Sequence, residues 1–201
     1  MLAPESTPIE PYLRATPIVD ANHPDIVSMG LSLTESAESE TEKVRRLFEW
    51  VRDGITHSRD ASLNVVTCAA AEVLQSRTGL CYAKAHLLAA LLRSIGIPCG
   101  FCYQTFDADG SLHGLNGIYL SEAKKWIRLD PRGNTSGAAR PARFDLSEER
   151  NRLAFPADPF LDDCVYAEPL PHIVQALHSH RALVSLWNRL PKAASDLPVK
   201  D

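Results

Sequence analysis

No uninterrupted apolar run in this 201-residue chain approaches the ~18–20 residues that span a bilayer, so no membrane helix is expected. The opening Met-Leu-Ala-Pro-Glu lacks the basic head and apolar stretch of a secretory signal. Positive charge is not in surplus either. The formal charge of −4 leaves no basic stripe to neutralise phosphates, which argues against nucleic acid as a partner. Gly-rich phosphate loops and calcium-loop patterns are missing, and no set of zinc ligands converges, so catalysis without a cofactor or metal is expected. Five cysteines, Cys68, Cys81, Cys99, Cys102 and Cys164, make an odd count that fits a disulfide framework poorly. Reduced thiols in a soluble, cytoplasmic protein are the expectation. Cys99 and Cys102 have zinc-type spacing, but residues three apart in a strand point to opposite faces, so they read as core thiols.

With 45% apolar and 23% charged residues, the chain reads as one globular domain over 1–201. Its core spans about 39–135, between a Pro-rich segment at 1–30 and an extension at 140–201. Pro4, Pro8, Pro11, Pro17 and Pro24 argue for irregular chain at the start. Ser39 with Glu42 forms a capping box, and Val44, Leu47, Phe48, Val51 and Ile55 then recur at helical spacing. A short helix follows Thr67 and stops before Gly79. From Gly79 to Gly96 runs an apolar helix carrying Ala83, Leu87, Leu88, Leu91, Leu92 and Ile95, closed by Gly96 and Pro98. Strands are expected at Cys99 to Phe106, Leu112 to Leu120 and Trp126 to Leu129, with turns at Asp107 to Gly110 and Glu122 to Lys125. Helices followed by an antiparallel meander make the fold α+β. Beyond Asp130, Arg132 to Ala139 reads as a loop, Ile173 to Leu190 as a helix, and Lys200-Asp201 as a frayed end.

Cys81 falls at the first turn of the apolar helix, where unpaired N–H groups and the positive end of the helix dipole favour a thiolate. Most free cysteines are nevertheless buried and inert, so a base must be found. His86 fails on geometry, because five helical residues rotate the side chain roughly 140° away; it reads as a satisfied core or surface histidine. His113 begins a strand after a turn and precedes Gly114, where backbone can approach a substrate closely. Pairing of the last two strands would bring Asp130 near enough to accept a ring N–H from His113 and fix its tautomer. An Asp before Pro also serves simply as a strand terminator.

Three blocks carry a resemblance. They are Ala71-Glu72-Val73-Leu74 leading to Arg77-Thr78-Gly79-Leu80-Cys81 with Lys84 to Arg93 and Gly96-Ile97-Pro98; His113-Gly114-Leu115-Asn116; and Trp126 to Pro131. In this order, over about a third of the chain, the stretch Ala70 to Arg132 resembles the transglutaminase-like superfamily of papain-like fold. The resemblance implies a central helix with the nucleophile at its N-terminus, packed on an antiparallel sheet. It assigns the nucleophile to Cys81, the base to His113 and the orienting acid to Asp130. Gly114 and Leu115 depart from the small residue and Trp that often follow the histidine.

The activity implied is attack of the Cys81 thiolate on an amide or ester carbonyl, with water or an amine resolving the thioester. The substrate would be a protein or peptide. Two alternatives remain open, a cysteine peptidase or amidase without transfer and a non-catalytic interaction module on the same fold. Gln75, six residues before Cys81, is a candidate oxyanion donor, or else an exposed residue at a helix end.

Overall fold

In the computed structural model, which describes residues 2–106, 108–133 and 142–193, the chain runs from helices into a meander. Helices α1 (Pro24–Thr34), α2 (Glu40–Gly54), α3 (Ala70–Ser76) and α4 (Cys81–Ser94) precede strands β4 (Cys99–Thr105), β5 (Leu112–Leu120) and β6 (Lys125–Leu129). Smaller pieces complete it: β1 (Ala3–Pro4) pairs in parallel with β7 (Cys164–Val165), and β2 (Thr56–His57) pairs in parallel with β3 (Thr78–Gly79). Helices α5 (Pro171–Ser179) and α6 (Leu183–Trp187) close the described chain. The fold is α+β, as the order of apolar patterns requires. Among the described residues no helix is long and apolar enough to cross a membrane.

Helix α4 is the centre of the molecule because it has no polar face to give to water. Every residue from Cys81 to Arg93 is buried, and the helix packs between α1, α2 and α3 and the β4–β5 hairpin. Burying one such Leu side chain contributes about 1.5–3 kcal/mol. Its charged members are satisfied by main chain: Arg93 donates to the carbonyls of Cys99, Arg14 and Ala167, and Lys84 to those of Arg52 and Ile55. Gly96, at φ +79°, ends the helix in the left-handed region.

Helix α2 begins as its sequence indicates, with Ser39 Oγ accepting from the Glu42 N–H at 3.1 Å. The Glu42 carboxylate reaches back to the N–H of Glu38 rather than of Ser39, and also binds Arg46. The three-stranded sheet is antiparallel in the order β4-β5-β6. Cys99 and Cys102 do face opposite ways: Cys99 lies in the core against α4, and Cys102 packs with Tyr12, Leu115 and Val165 on the far side of the sheet.

Two expectations need correction. The irregular start in fact contains α1, because Pro24 occupies the first helical turn, where its missing N–H costs nothing, and His23 caps the helix by accepting from Asp25 N–H at 3.2 Å. The single helix expected from Ile173 to Leu190 is broken into α5 and α6. At the break a tertiary contact supplies a partner that the helix itself does not: the side-chain oxygen of Asn64 accepts from the Val184 N–H in the first turn of α6. Most of the loop expected at Arg132 to Ala139, and the end at Lys200-Asp201, lie outside the described residues, as does Asp107 of the first turn.

Candidate active site

Strand β3 ends at Gly79, Leu80 is the N-cap, and α4 opens on Cys81, so the thiol is delivered to the helix N-terminus by a strand fixed on its other edge to β2. Two side chains hold that junction. Thr67 donates to the carbonyl of Thr78 at 3.0 Å, and Ser58 and Thr78 share a hydroxyl contact of 3.1 Å. A β-carbon at Gly79 would stand 2.9 Å from both Ala83 Cβ and Thr67 Oγ1, which is why this position has none.

His113 lies on β5 and is 1% exposed; Asp130, just past β6, is fully buried. The register that pairs Asn116 with Leu129 sets Asp130 diagonally across from His113 rather than directly opposite. The imidazole bridges that offset: His113 Nε2 donates to Asp130 Oδ2 at 2.8 Å, leaving Nδ1 for the thiol. The carboxylate is fully engaged, with Oδ2 also accepting from the Ala154 N–H at 2.8 Å and Oδ1 from the Arg132 N–H at 3.0 Å. The Phe155 and His113 rings meet edge to face, with centroids 5.0 Å apart.

Electrostatics separate Cys81 from the other thiols. Burial by itself would raise it, but the charge of His113, a hydrogen bond to His113, and a hydrogen bond and charge from His57 outweigh burial and bring it well below the usual thiol range. His113 moves the opposite way: desolvation lowers it, and the attraction of Asp130 and Cys81 raises it further than burial takes away. Asp130 is held low by His113 and the two backbone N–H groups, against its burial. Cys68, Cys99 and Cys102 are each pushed up to about 12, chiefly by burial.

The thiol and imidazole open onto a cleft of about 530 Å³. Its walls are Leu80, Tyr82, Phe106, Leu112 and Phe155, with Trp187 and Leu190 from the C-terminal segment. That segment is fastened beside β5 by Leu112 N–H donating to the Pro191 carbonyl at 2.8 Å and by Ala193 N–H to Gly110. Arg59 lies over the Trp187 ring, 3.5 Å from its centroid.

Three sequence readings meet this geometry differently. His86 is, as expected, a satisfied core histidine, with Nδ1 2.8 Å from the Cys68 carbonyl and a pKa taken down to about 4 by burial. Gln75 is exposed on α3 and does not line the cleft, so it is no oxyanion donor; α3 turns that position to solvent. The ring of Tyr82 stands where a Gly114 side chain would be. The residue that sequence reasoning missed is His57, which is 8% exposed, lines the cleft with Cys81 and helps to lower its pKa. Its signal in the sequence is slight, since only the β2–β3 pairing, His57 opposite Gly79, brings it to the thiol. Among the described residues no group of three His, Cys, Asp or Glu side chains could hold a metal ion.

A family model described as the transglutaminase-like superfamily matches residues 28–131. Over 65 residues the chain is 35% identical to the Caenorhabditis elegans protein named peptide-N(4)-(N-acetyl-beta-glucosaminyl)asparagine amidase, a stretch that is 32% of this chain and 10% of that protein. A solved protein from Cytophaga hutchinsonii, provisionally named a cysteine protease, shares the fold with a TM-score of 0.51 at 20% identity, over 63% of this chain and 43% of that one. The chain thus spans about a tenth of the curated relative and less than half of the solved one.

Proposed function

This chain belongs to the transglutaminase-like superfamily, and from that premise and the geometry of the cleft we propose that it is a thiol enzyme acting at an amide carbonyl, with Cys81 as nucleophile, His113 as base and Asp130 as the residue that orients the base. The observation that carries the reading is the contrast among the thiols. The thiol at a helix N-terminus, in a cleft and beside a carboxylate-backed imidazole is drawn toward thiolate, whereas Cys68, Cys99 and Cys102 are driven to about 12.

The chemistry follows from the hydrogen bonds. The Cys81 S–H proton passes to His113 Nδ1 while Asp130 keeps the Nε2–H in place. The sulfur then attacks the carbonyl carbon, and the Cys81 main-chain N–H is the group placed to receive charge on the oxygen. Collapse breaks the C–N bond, and the His113 proton leaves with the amine. Water or a primary amine next attacks the thioester, giving acid or a new amide and returning the thiol. The apolar and aromatic walls favour a peptide or protein acyl donor whose neighbouring groups are apolar. The single domain read from the sequence, a soluble setting and a protein or peptide substrate belong to this same proposal.

The test is intact-protein mass spectrometry after mixing with a panel of peptide amides, with and without a primary amine. The wild type is expected to carry an acyl adduct that maps to Cys81 and to release acid, amide or both. Cys81→Ala is expected to form no adduct. Undiminished turnover by Cys81→Ala would sink the proposal.

A further inference from the structure

The thiol has a neighbour on its other side. His57 closes β2, and its pairing with Gly79, two residues before Cys81, brings the ring to the sulfur. Its Nδ1 lies 3.4 Å from Asp60 Oδ1, ion-pair reach rather than a formed hydrogen bond, and that buried nitrogen has no hydrogen-bond partner. With Nδ1 turned to Asp60, the nitrogen left for the sulfur is Nε2. The arrangement parallels the one across the cleft, where His113 is backed by Asp130.

One residue ties the two sides together. Arg132 donates its main-chain N–H to Asp130 Oδ1 at 3.0 Å and its guanidinium to Asp60 Oδ1 at 3.1 Å. Both carboxylates that stand behind an imidazole are therefore fixed by the same residue. The charged or titratable groups that line the cleft with His57 include Cys81, Asp60, Arg59, Arg132 and His113, with Tyr82, Asp109 and Asp158 also on its walls.

We propose that His57 is a second catalytic imidazole, backed by Asp60, that takes or shares the Cys81 proton, so that the thiol has two bases and not one. This rests on the reading of Cys81 as the nucleophile. In the step assigned to it, the S–H bond breaks, its electron pair stays on sulfur, and the proton goes to His57 Nε2 while Asp60 stabilises the imidazolium through Nδ1–H. The 3.4 Å gap then closes, as such contacts do when charge develops. A buried polar nitrogen without a hydrogen-bond partner is costly, and the unpartnered Nδ1 gains one when the contact to Asp60 shortens as Nε2 takes the proton. His113, with the shorter bond to its carboxylate, remains the stronger of the two.

The experiment is the pH dependence of Cys81 alkylation by iodoacetamide, in which the S–C bond forms and iodide leaves, read by peptide mass spectrometry. It compares the wild type with His113→Ala, His57→Gln and the double variant. The proposal expects His113→Ala to keep a rate at pH 6.5 at least about tenfold above that of an ordinary thiol, His57→Gln to lose several-fold, and the double variant to fall to the ordinary rate. If His57→Gln does not fold, Asp60→Asn, at an exposed carboxylate, carries the test and should lower the rate in the same direction. A His113→Ala rate equal to that of the double variant, or no change in either His57→Gln or Asp60→Asn, overturns the role of His57 and leaves the thiol enzyme standing. An ordinary thiol in the wild type itself overturns both.

Discussion

Gly114 lies so close beneath Tyr82 that a β-carbon there would stand 2.8 Å from Tyr82 Cδ1 and 3.3 Å from Tyr82 Cα. Tyr82 is the residue after Cys81, and its hydroxyl donates to the Leu112 carbonyl, so the first turn of α4 is seated directly on β5. The distance between thiol and imidazole is set by this contact, since His113 lies between Leu112 and Gly114.

Gly114→Ala therefore has to push Tyr82, and Cys81 with it, away from the strand. The expected result is a loss of about 1–3 kcal/mol in stability together with slower alkylation of Cys81. Denaturant titration alongside the labelling rate checks it, and a variant as stable and as reactive as wild type would show that the contact relaxes freely.

Asp130→Asn removes an acceptor that three donors use at once, the His113 ring and the N–H groups of Ala154 and Arg132. The amide cannot hold His113 in the same tautomer. Turnover should fall by about 10⁴-fold, as in other enzymes that lose the carboxylate behind a catalytic imidazole, with about 1–3 kcal/mol of stability lost where a buried donor is left unpaired. Steady-state kinetics on any accepted substrate measure the first, thermal unfolding the second.

Limiting alkylation of the native protein should single out Cys81. Its thiolate is favoured below the pH at which a free thiol, near 8.5, ionises, whereas Cys68, Cys99 and Cys102, pushed up to about 12, stay protonated. Peptide mapping at pH 6.5 gives the ratios, and equal labelling of these four would contradict the electrostatic contrast.

Lys84 offers a pH test away from the thiol. Burial takes its ammonium from 10.5 down to about 7, with Asp130 opposing in part. Between those values the unfolded chain holds a proton that the folded one has given up, so this residue makes stability rise with pH from about 7 to 10.5 and lose that gain as pH falls through about 7. Lys84→Met should lack that rise, so the stability difference between wild type and variant, measured by denaturant unfolding, should grow with pH across the window. An unchanged slope would mean that the lysine keeps its charge in the fold.

Trp187→Ala removes a cleft wall and the ring on which Arg59 lies. The residue is far from the sulfur chemistry in sequence and role, so KM for a good acyl donor should rise several-fold with kcat little altered, the signature of lost uniform binding. Initial-rate kinetics at varied donor concentration separate the two constants.

The periodic segments were legible because their apolar spacing allows one arrangement only. A stretch as apolar as Leu80 to Leu92 has to be central, and Cys81 has to open it because Gly79 and the N-cap stop the helix from starting earlier. The capping of α2 by Ser39 was local in the same sense. His113 and Asp130 could be named from the order of strand, turn and strand, although the diagonal register that joins them could not.

What the tertiary structure alone decided depends on contacts between distant residues. Pairing of β2 with β3 brings His57 to the thiol, and Arg132 joins Asp60 to Asp130 across 72 positions in one case and two in the other. Asn64 accepts from the first turn of α6 from 120 residues away. Trp187 and Leu190 enter the cleft because the C-terminal segment runs back beside β5. Helix propensity and apolar period act over a few residues, and so they can be read along the chain. The walls of the cleft and the second imidazole arise only when the whole core has closed, because burial, not local preference, brings those side chains together.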